Sequence, residues 1–201
     1  MIRISKIFVL AALVVSLLSL ALQVVVVPTP SMEGTVLVGD HLLIDRFAYG
    51  PELPFTHWRL PRLKKVQRGD VVSFHPPKHR DEVYLKRVVA VGGDRVQLRD
   101  GDLYVNGSRP VERYAQSATT GPNVEETVPS GELYLLGDNR EHSEDSRTWG
   151  TVPEENVIGE PVMVLWSFAN PTKQWVKSHV SVYLDHPVAH LRWERFFQAV
   201  E

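Results

Sequence analysis

The chain has 201 residues, 43% of them hydrophobic and 23% charged, which supplies enough apolar material for a packed core and excludes wholesale disorder. A formal net charge of -2 gives no basis for a nucleic-acid partner. The absence of cysteine excludes disulfides, Cys-ligated metals and thiol catalysis.

The apolar residues are concentrated at the N-terminus. No charged residue lies between Lys6 and Glu33, and Ile7 to Val27 is interrupted only by Ser16, Ser19 and Gln23. As a helix, that run would extend roughly 30 Å, the thickness of a bilayer's hydrocarbon core. Arg3 and Lys6 precede it, so the positive-inside rule puts the N-terminus in the cytoplasm and everything after Val27 across the membrane. The competing reading is a cleaved signal peptide, with Ser19-Leu20-Ala21 as a small-x-small site. Because the apolar run continues to Val27, an uncleaved single-pass anchor over residues 1–27 is the expectation.

Directly after this run, Pro28-Thr29-Pro30-Ser31-Met32-Glu33-Gly34-Thr35 holds a serine behind two prolines that stiffen the chain. A serine hydroxyl becomes a nucleophile only when a neighbouring base takes its proton. Strands are predicted at 35–38 and 41–44 around the turn pair Gly39-Asp40, and again at 70–74. Between these, residues 50–68 form a loop with a basic patch (Arg59, Arg62, Lys64, Lys65, Arg68) that reads as solvated or headgroup-facing.

The run Val83–Val91 alternates side chains between two faces, both otherwise apolar, yet it carries Lys86 on one and Arg87 on the other. Burial disfavours an ammonium and lowers a lysine pKa, whereas arginine stays charged and needs a carboxylate partner. An edge strand with both cations reaching to water is the alternative. His75 and His79 are four apart, but Pro76-Pro77 between them forbids a helix, so no metal site is expected. Strands at 95–98 and 103–105 are joined by Asp100-Gly101, and further strands are predicted at 133–136 and 161–168. Residues 110–130 read as a surface loop or small insertion. Such short strands punctuated by turns point to an all-β sandwich or barrel.

Residues 137–150, Gly-Asp-Asn-Arg-Glu-His-Ser-Glu-Asp-Ser-Arg-Thr-Trp-Gly, crowd charges and hydroxyls into one irregular stretch. His142 adjoins Ser143, but adjacent residues rarely face each other, which disfavours a Ser/His pair. Pro187–Val200 reads as an amphipathic helix with Trp193, Phe196, Phe197 and Val200 on one stripe, packing on the domain or touching the membrane surface.

Together these segments resemble the bacterial type I signal peptidase family. The resemblance rests on Ser31-Met32-Glu33-Gly34-Thr35, on Gly39-Asp40 through Phe47-Ala48-Tyr49-Gly50, on Arg68-Gly69-Asp70-Val71-Val72 with Lys86 through Asp94, and on Gly137-Asp138-Asn139-Arg140 with Ser143, Asp145-Ser146-Arg147 and Gly150. These stand in the family's order over roughly residues 28–160. The resemblance implies a signal-peptidase-like β-sandwich or barrel catalytic domain (28–178), one N-terminal transmembrane helix, and a C-terminal amphipathic segment (179–201). It implies a membrane-bound serine endopeptidase without cofactor or metal, with Ser31 as nucleophile and Lys86 as general base, cleaving preprotein signal peptides after Ala-x-Ala sites. The domain would act on the extracytoplasmic side of the bacterial cytoplasmic membrane, at the lipid surface and near the secretion translocon.

The same resemblance gives Ser143 the role of orienting Lys86, pairs Asp145 with Arg147 and Asp138 with Arg87, and adds the Thr29 hydroxyl to the Ser31 N–H as an oxyanion hole. Val27, Met32, Val36, Tyr84 and Leu85 match the shallow substrate pockets. Two departures stand out: Gly34 replaces a usual proline, and Pro30 replaces a glycine common before the nucleophile. Alternatives are a relative specialised for one or few substrates, of the conjugation or organellar inner-membrane type, and an inactive domain that only binds signal sequences. A lysine at 86 favours bacterial or organellar relatives, since the endoplasmic-reticulum and archaeal enzymes carry histidine there.

Overall fold

The computed structural model describes residues 7–10, 21–52, 56, 58–119, 121–169 and 191–200. Within them the chain is mainly β, as expected. Ten strands form in order: β1 (Leu22–Val26), β2 (Asp40–Asp45), β3 (Val71–Phe74), β4 (Tyr84–Val91), β5 (Arg95–Arg99), β6 (Asp102–Val105), β7 (Val124–Thr127), β8 (Glu132–Leu136), β9 (Val152–Pro153) and β10 (Val157–Ser167). A short helix, labelled α1 here, covers Ser146–Trp149. A seven-stranded antiparallel sheet runs β1-β2-β10-β3-β4-β8-β9, and a three-stranded sheet runs β6-β5-β7.

Local chemistry accounts for most of these elements. Asp100 (φ 51°) and Gly101 (φ 87°) both take positive φ, the backbone of the tight turn that joins twisted strands, and so close the β5–β6 hairpin. The 11-residue β10 bridges two neighbours, pairing with β2 from Glu160 to Ser167 and with β3 at Val157 and Gly159. Register shifts along it let one strand bend between the two. The apolar side chains gather in three clusters, one around Tyr49, Phe74 and Leu135, one around Val96, Leu103 and Leu136, and one around Met32, Leu42 and Ile44. The third cluster lies under the segment that carries Ser31.

Four expectations need correction. The predicted membrane helix through Val27 stops short: Leu22–Val26 is a strand in register with Asp45–His41 of β2. The β-branched run Val24–Val27 favours an extended backbone, and β2 offers it a ladder. Residues 7–10 are helical and exposed, and the rest of the predicted span, 11–20, lies outside the described residues. No helix among the described residues is long and apolar enough to cross a membrane.

Residues 35–38 form turns rather than a strand, and Val36 is fully buried. The 110–130 segment contains β7, paired with β5. The C-terminal amphipathic helix is absent from 191–200, which run beside β10 with bridges Met163–Ala199 and Phe168–Leu191 and only a 3-10 turn at Trp193–Arg195. Phe197 adopts φ 58°, which breaks any helical stripe. Instead of a stripe, Arg195 reaches back to grip the buried Asp40, with Nη2 donating to Oδ2 at 2.6 Å. The expected boundary at 178/179 lies outside the described residues.

Candidate functional site

Ser31 sits in a 3-10 turn, Pro30–Met32, whose first residue is the proline that presets a helical φ. The Asn139 N–H donates to the Ser31 carbonyl at 3.1 Å, so the 137–140 loop holds this turn in place. Lys86 comes from β4, 55 residues away in sequence, and its Nζ lies 2.7 Å from Ser31 Oγ. Both side chains are buried, Ser31 at 7% and Lys86 at 4% exposure. Nζ also donates to the Leu85 carbonyl at 3.1 Å.

Burial pushes the Lys86 ammonium down to about 8, against the weaker pull of Asp145, Asp138 and Glu144. The Thr29 hydroxyl stands 3.3 Å from Ser31 Oγ. A lysine held near neutrality against a serine hydroxyl can accept that hydroxyl's proton, which is the chemistry a serine nucleophile needs.

The buried Arg87 meets its carboxylate. Its Nε and Nη2 donate to Asp138 Oδ1 and Oδ2 at 2.9 and 2.8 Å, a two-point pair that fixes the 138 loop against β4. Nη1 donates to the Gly69 carbonyl at 2.8 Å, and Thr35 Oγ1, itself 2.5 Å from Asp138 Oδ2, accepts from Nη2 at 3.0 Å. Asp145 caps α1, accepts the Gly137 N–H at 3.0 Å and pairs with Arg147 Nε at 2.8 Å. Arg147 in turn donates to the carbonyls of Arg140 and Ser143, at 2.7 and 3.2 Å.

Ser143 departs from expectation. Its hydroxyl is buried with no hydrogen-bond partner, and Lys86 is not among its contacts by hydrogen bond. It is instead packed against Gly137, where an added Cβ would lie 2.2 Å from Ser143 Oγ and 2.5 Å from the Ser31 carbonyl oxygen. Glycine at 137 therefore lets the serine turn and the 143 segment approach each other.

A cleft of about 1170 Å³ opens on the Ser31–Lys86 pair. Val27, Met32, Tyr84 and Leu85 line it, along with the β1 residues Gln23–Val26, His41, Trp166, His142 and Glu144. Val36 does not: it lies in the core cluster with Leu42 and Ile44. His142 is hydrogen-bonded to Asn139 and His75 to the Glu82 carbonyl. Among the described residues no group of histidines and carboxylates is arranged to hold a metal. The basic patch is largely partnered, with Arg62 on Glu154, Lys64 on Glu160 and Asp70, and Arg68 near Asp94.

Sequence reading quoted Thr35 and Arg140 within the motifs but gave them no role, and it missed Glu112 and Tyr114 altogether. Arg140 is buried at 1% exposure and takes Glu112 in a two-point pair. The sequence signal for Thr35 and Arg140 was their place in those motifs, whereas Glu112 and Tyr114 stand in a stretch without periodicity.

Comparison with known proteins gives the family of the chain. The family described as "Signal peptidase, peptidase S26" matches residues 1–166. "Signal peptidase I" of Pseudomonas aeruginosa is 32% identical over 184 residues, covering 72% of this chain and 65% of that protein. "Signal peptidase I" of Leptolyngbya laminosa is 35% identical over 147 residues, covering 70% of this chain and 66% of that protein. The chain thus spans about two thirds of the length of these curated relatives. A crystal structure of a signal peptidase I from Enterococcus faecalis shares 32% identity over 48% of this chain and 97% of that one, with a TM-score of 0.43. On the match across residues 1–166, the chain belongs to the signal peptidase (peptidase S26) family.

Proposed function

We propose that the chain is a membrane-bound serine endopeptidase that removes N-terminal signal peptides from exported preproteins after small-x-small sites. The observation that carries this reading is the 2.7 Å approach of Lys86 Nζ to Ser31 Oγ at the wall of an apolar cleft. Neutral Lys86 takes the hydroxyl proton as Oγ attacks the scissile carbonyl carbon. The negative charge developing on the carbonyl oxygen falls to the Ser31 N–H and the Thr29 hydroxyl. As the C–N bond breaks, the Lys86 ammonium returns the proton to the leaving amine, leaving an ester on Ser31. Lys86 then deprotonates the water that hydrolyses this ester, and the hydroxyl is restored.

The cleft walls suit an extended peptide. Among the described residues β1 is the outer strand of the sheet, and Tyr84 to Lys86 pair with β3 on one side only, so both walls offer backbone groups for strand addition. Apolar lining from Val27, Met32, Tyr84 and Leu85 supports small apolar side chains beside the scissile bond. An anchor in the N-terminal apolar run would place the domain on the outer side of the bacterial cytoplasmic membrane, near the translocon and its emerging substrates.

The test is cleavage of an Ala-x-Ala preprotein by the wild type, Ser31→Ala and Lys86→Ala. Each variant is expected to lose roughly a thousandfold or more in kcat, as nucleophile and base act as one unit. Wild-type rates from Ser31→Ala would rule the mechanism out. A panel of unrelated preproteins separates a general processing enzyme from a specialised one.

A further inference from the structure

Residues 112–119 cross the outside of the Ser31–Lys86 centre and touch each of its three supports. Glu112 Oε1 and Oε2 accept from Arg140 Nη2 and Nη1 at 2.6 and 3.1 Å, and Thr119 Oγ1 accepts from the same guanidinium. Arg140 in turn donates through Nε to the Gly137 carbonyl at 3.0 Å. The Gln116 N–H donates to the Asp138 carbonyl at 3.1 Å. This part of the segment is therefore tied to the 137–140 loop, whose Asn139 N–H holds the Ser31 carbonyl.

The second support is β4. The Tyr114 ring covers the Arg87 guanidinium, with Cζ 3.9 Å from the ring centre, and Arg87 immediately follows Lys86 on that strand. A desolvated guanidinium on an aromatic face is attracted by the ring's quadrupole. The third support is the loop after the nucleophile. Gly34 has φ +108°, and a Cβ there would meet the Tyr114 carbonyl oxygen at 3.0 Å and the Gln116 side chain at 3.2 Å. Proline, locked near φ -65°, cannot take that backbone.

We propose that residues 112–119 act as a strap that sets Ser31 against Lys86, with Tyr114 and Glu112 as positioning residues, and that Gly34 is glycine to seat it. Where an internal proline would stiffen the serine loop from within, the strap stiffens it from outside, through contacts to both sides of the dyad. The proposal rests on the peptidase reading above.

Three variants of the full chain test it by steady-state cleavage of the same preprotein: Tyr114→Phe, Tyr114→Ala and Glu112→Gln. Tyr114→Phe keeps the ring over Arg87 and loses only the hydroxyl's 3.2 Å bond to Glu112 Oε1, so it is expected to restore most of the kcat that Tyr114→Ala loses. Tyr114→Ala is expected to lose on the order of tenfold in kcat with KM within about twofold, since small misplacements of reacting groups are costly. Rates are taken per folded molecule, from circular dichroism and thermal melts. A Tyr114→Ala protein that is folded and as fast as wild type overturns the proposal. So does a loss that merely tracks the folded fraction. If Tyr114→Ala does not fold, Glu112→Gln decides: a lower kcat at unchanged KM supports the strap, and a wild-type kcat overturns it. A wild type that cleaves nothing overturns the peptidase reading and the strap with it. An active wild type, an inactive Ser31→Ala and fast strap variants overturn the strap alone.

Discussion

Lys86 is the residue on which the proposed chemistry turns, and its protonation sets the pH response. Its folded-state pKa is depressed to about 8 by burial, and only the neutral amine accepts the Ser31 proton. Activity therefore rises as pH rises through that value. A kcat/KM profile is expected to show an ascending limb with its midpoint near 8, absent from any residual activity of Lys86→Ala. Asp138 is the other decisive residue, because it neutralises an arginine that is 3% exposed. Asp138→Ala would strip the buried Arg87 cation of this carboxylate, a loss of about 3–5 kcal/mol measurable by urea unfolding. Both cations could be read from the sequence as anomalies in an apolar strand. Their partners came only with the family resemblance, because Ser31 lies 55 positions from Lys86 and Asp138 lies 51 from Arg87, beyond any local pattern.

Among the elements, α1 is only four residues long, too short to persist alone, and survives through its cap. Asp145 accepts the Arg147 N–H at the helix start, binds the Arg147 side chain and holds the Gly137 N–H of the next loop. Asp145→Ala is accordingly expected to cost clearly more than the ~1 kcal/mol of an ordinary N-cap, whereas Asp145→Asn keeps the cap and loses less. Paired denaturation curves of the two variants measure the difference. Strand β1 teaches a different lesson. Its apolar run matched a membrane span by length and composition, yet hydropathy does not distinguish lipid from the ladder that β2 provides. The turn chemistry at Asp100-Gly101 needed no such context, because positive φ is a local demand and the sequence states it directly.

At the scale of the whole molecule, residues 191–200 tie β10 to the start of β2. Residues 191–200 run along β10, Val200 packs on the cluster beneath Ser31, and Arg195 pairs with the fully buried Asp40 at the start of β2. Arg195→Ala is expected to lower stability by about 2 kcal/mol, the worth of hydrogen bonds to a charged group, as seen in a shifted thermal midpoint. Cleavage per folded molecule should change little, because this pair does not touch the dyad.

The sequence alone determined the family motifs and their order, the mainly β character and the positions of most turns. Those depend on residue type and short-range periodicity, which are present in every local window. Only the tertiary structure decided that Leu22–Val26 pairs as a strand, that Val36 is core rather than cleft, that the Ser143 hydroxyl is buried without a hydrogen bond, and that Glu112 meets Arg140 and Tyr114 covers Arg87. Each depends on which segments far apart in the chain come together, as Thr35 meets Asp138 across 103 residues, and no local window of the sequence states that.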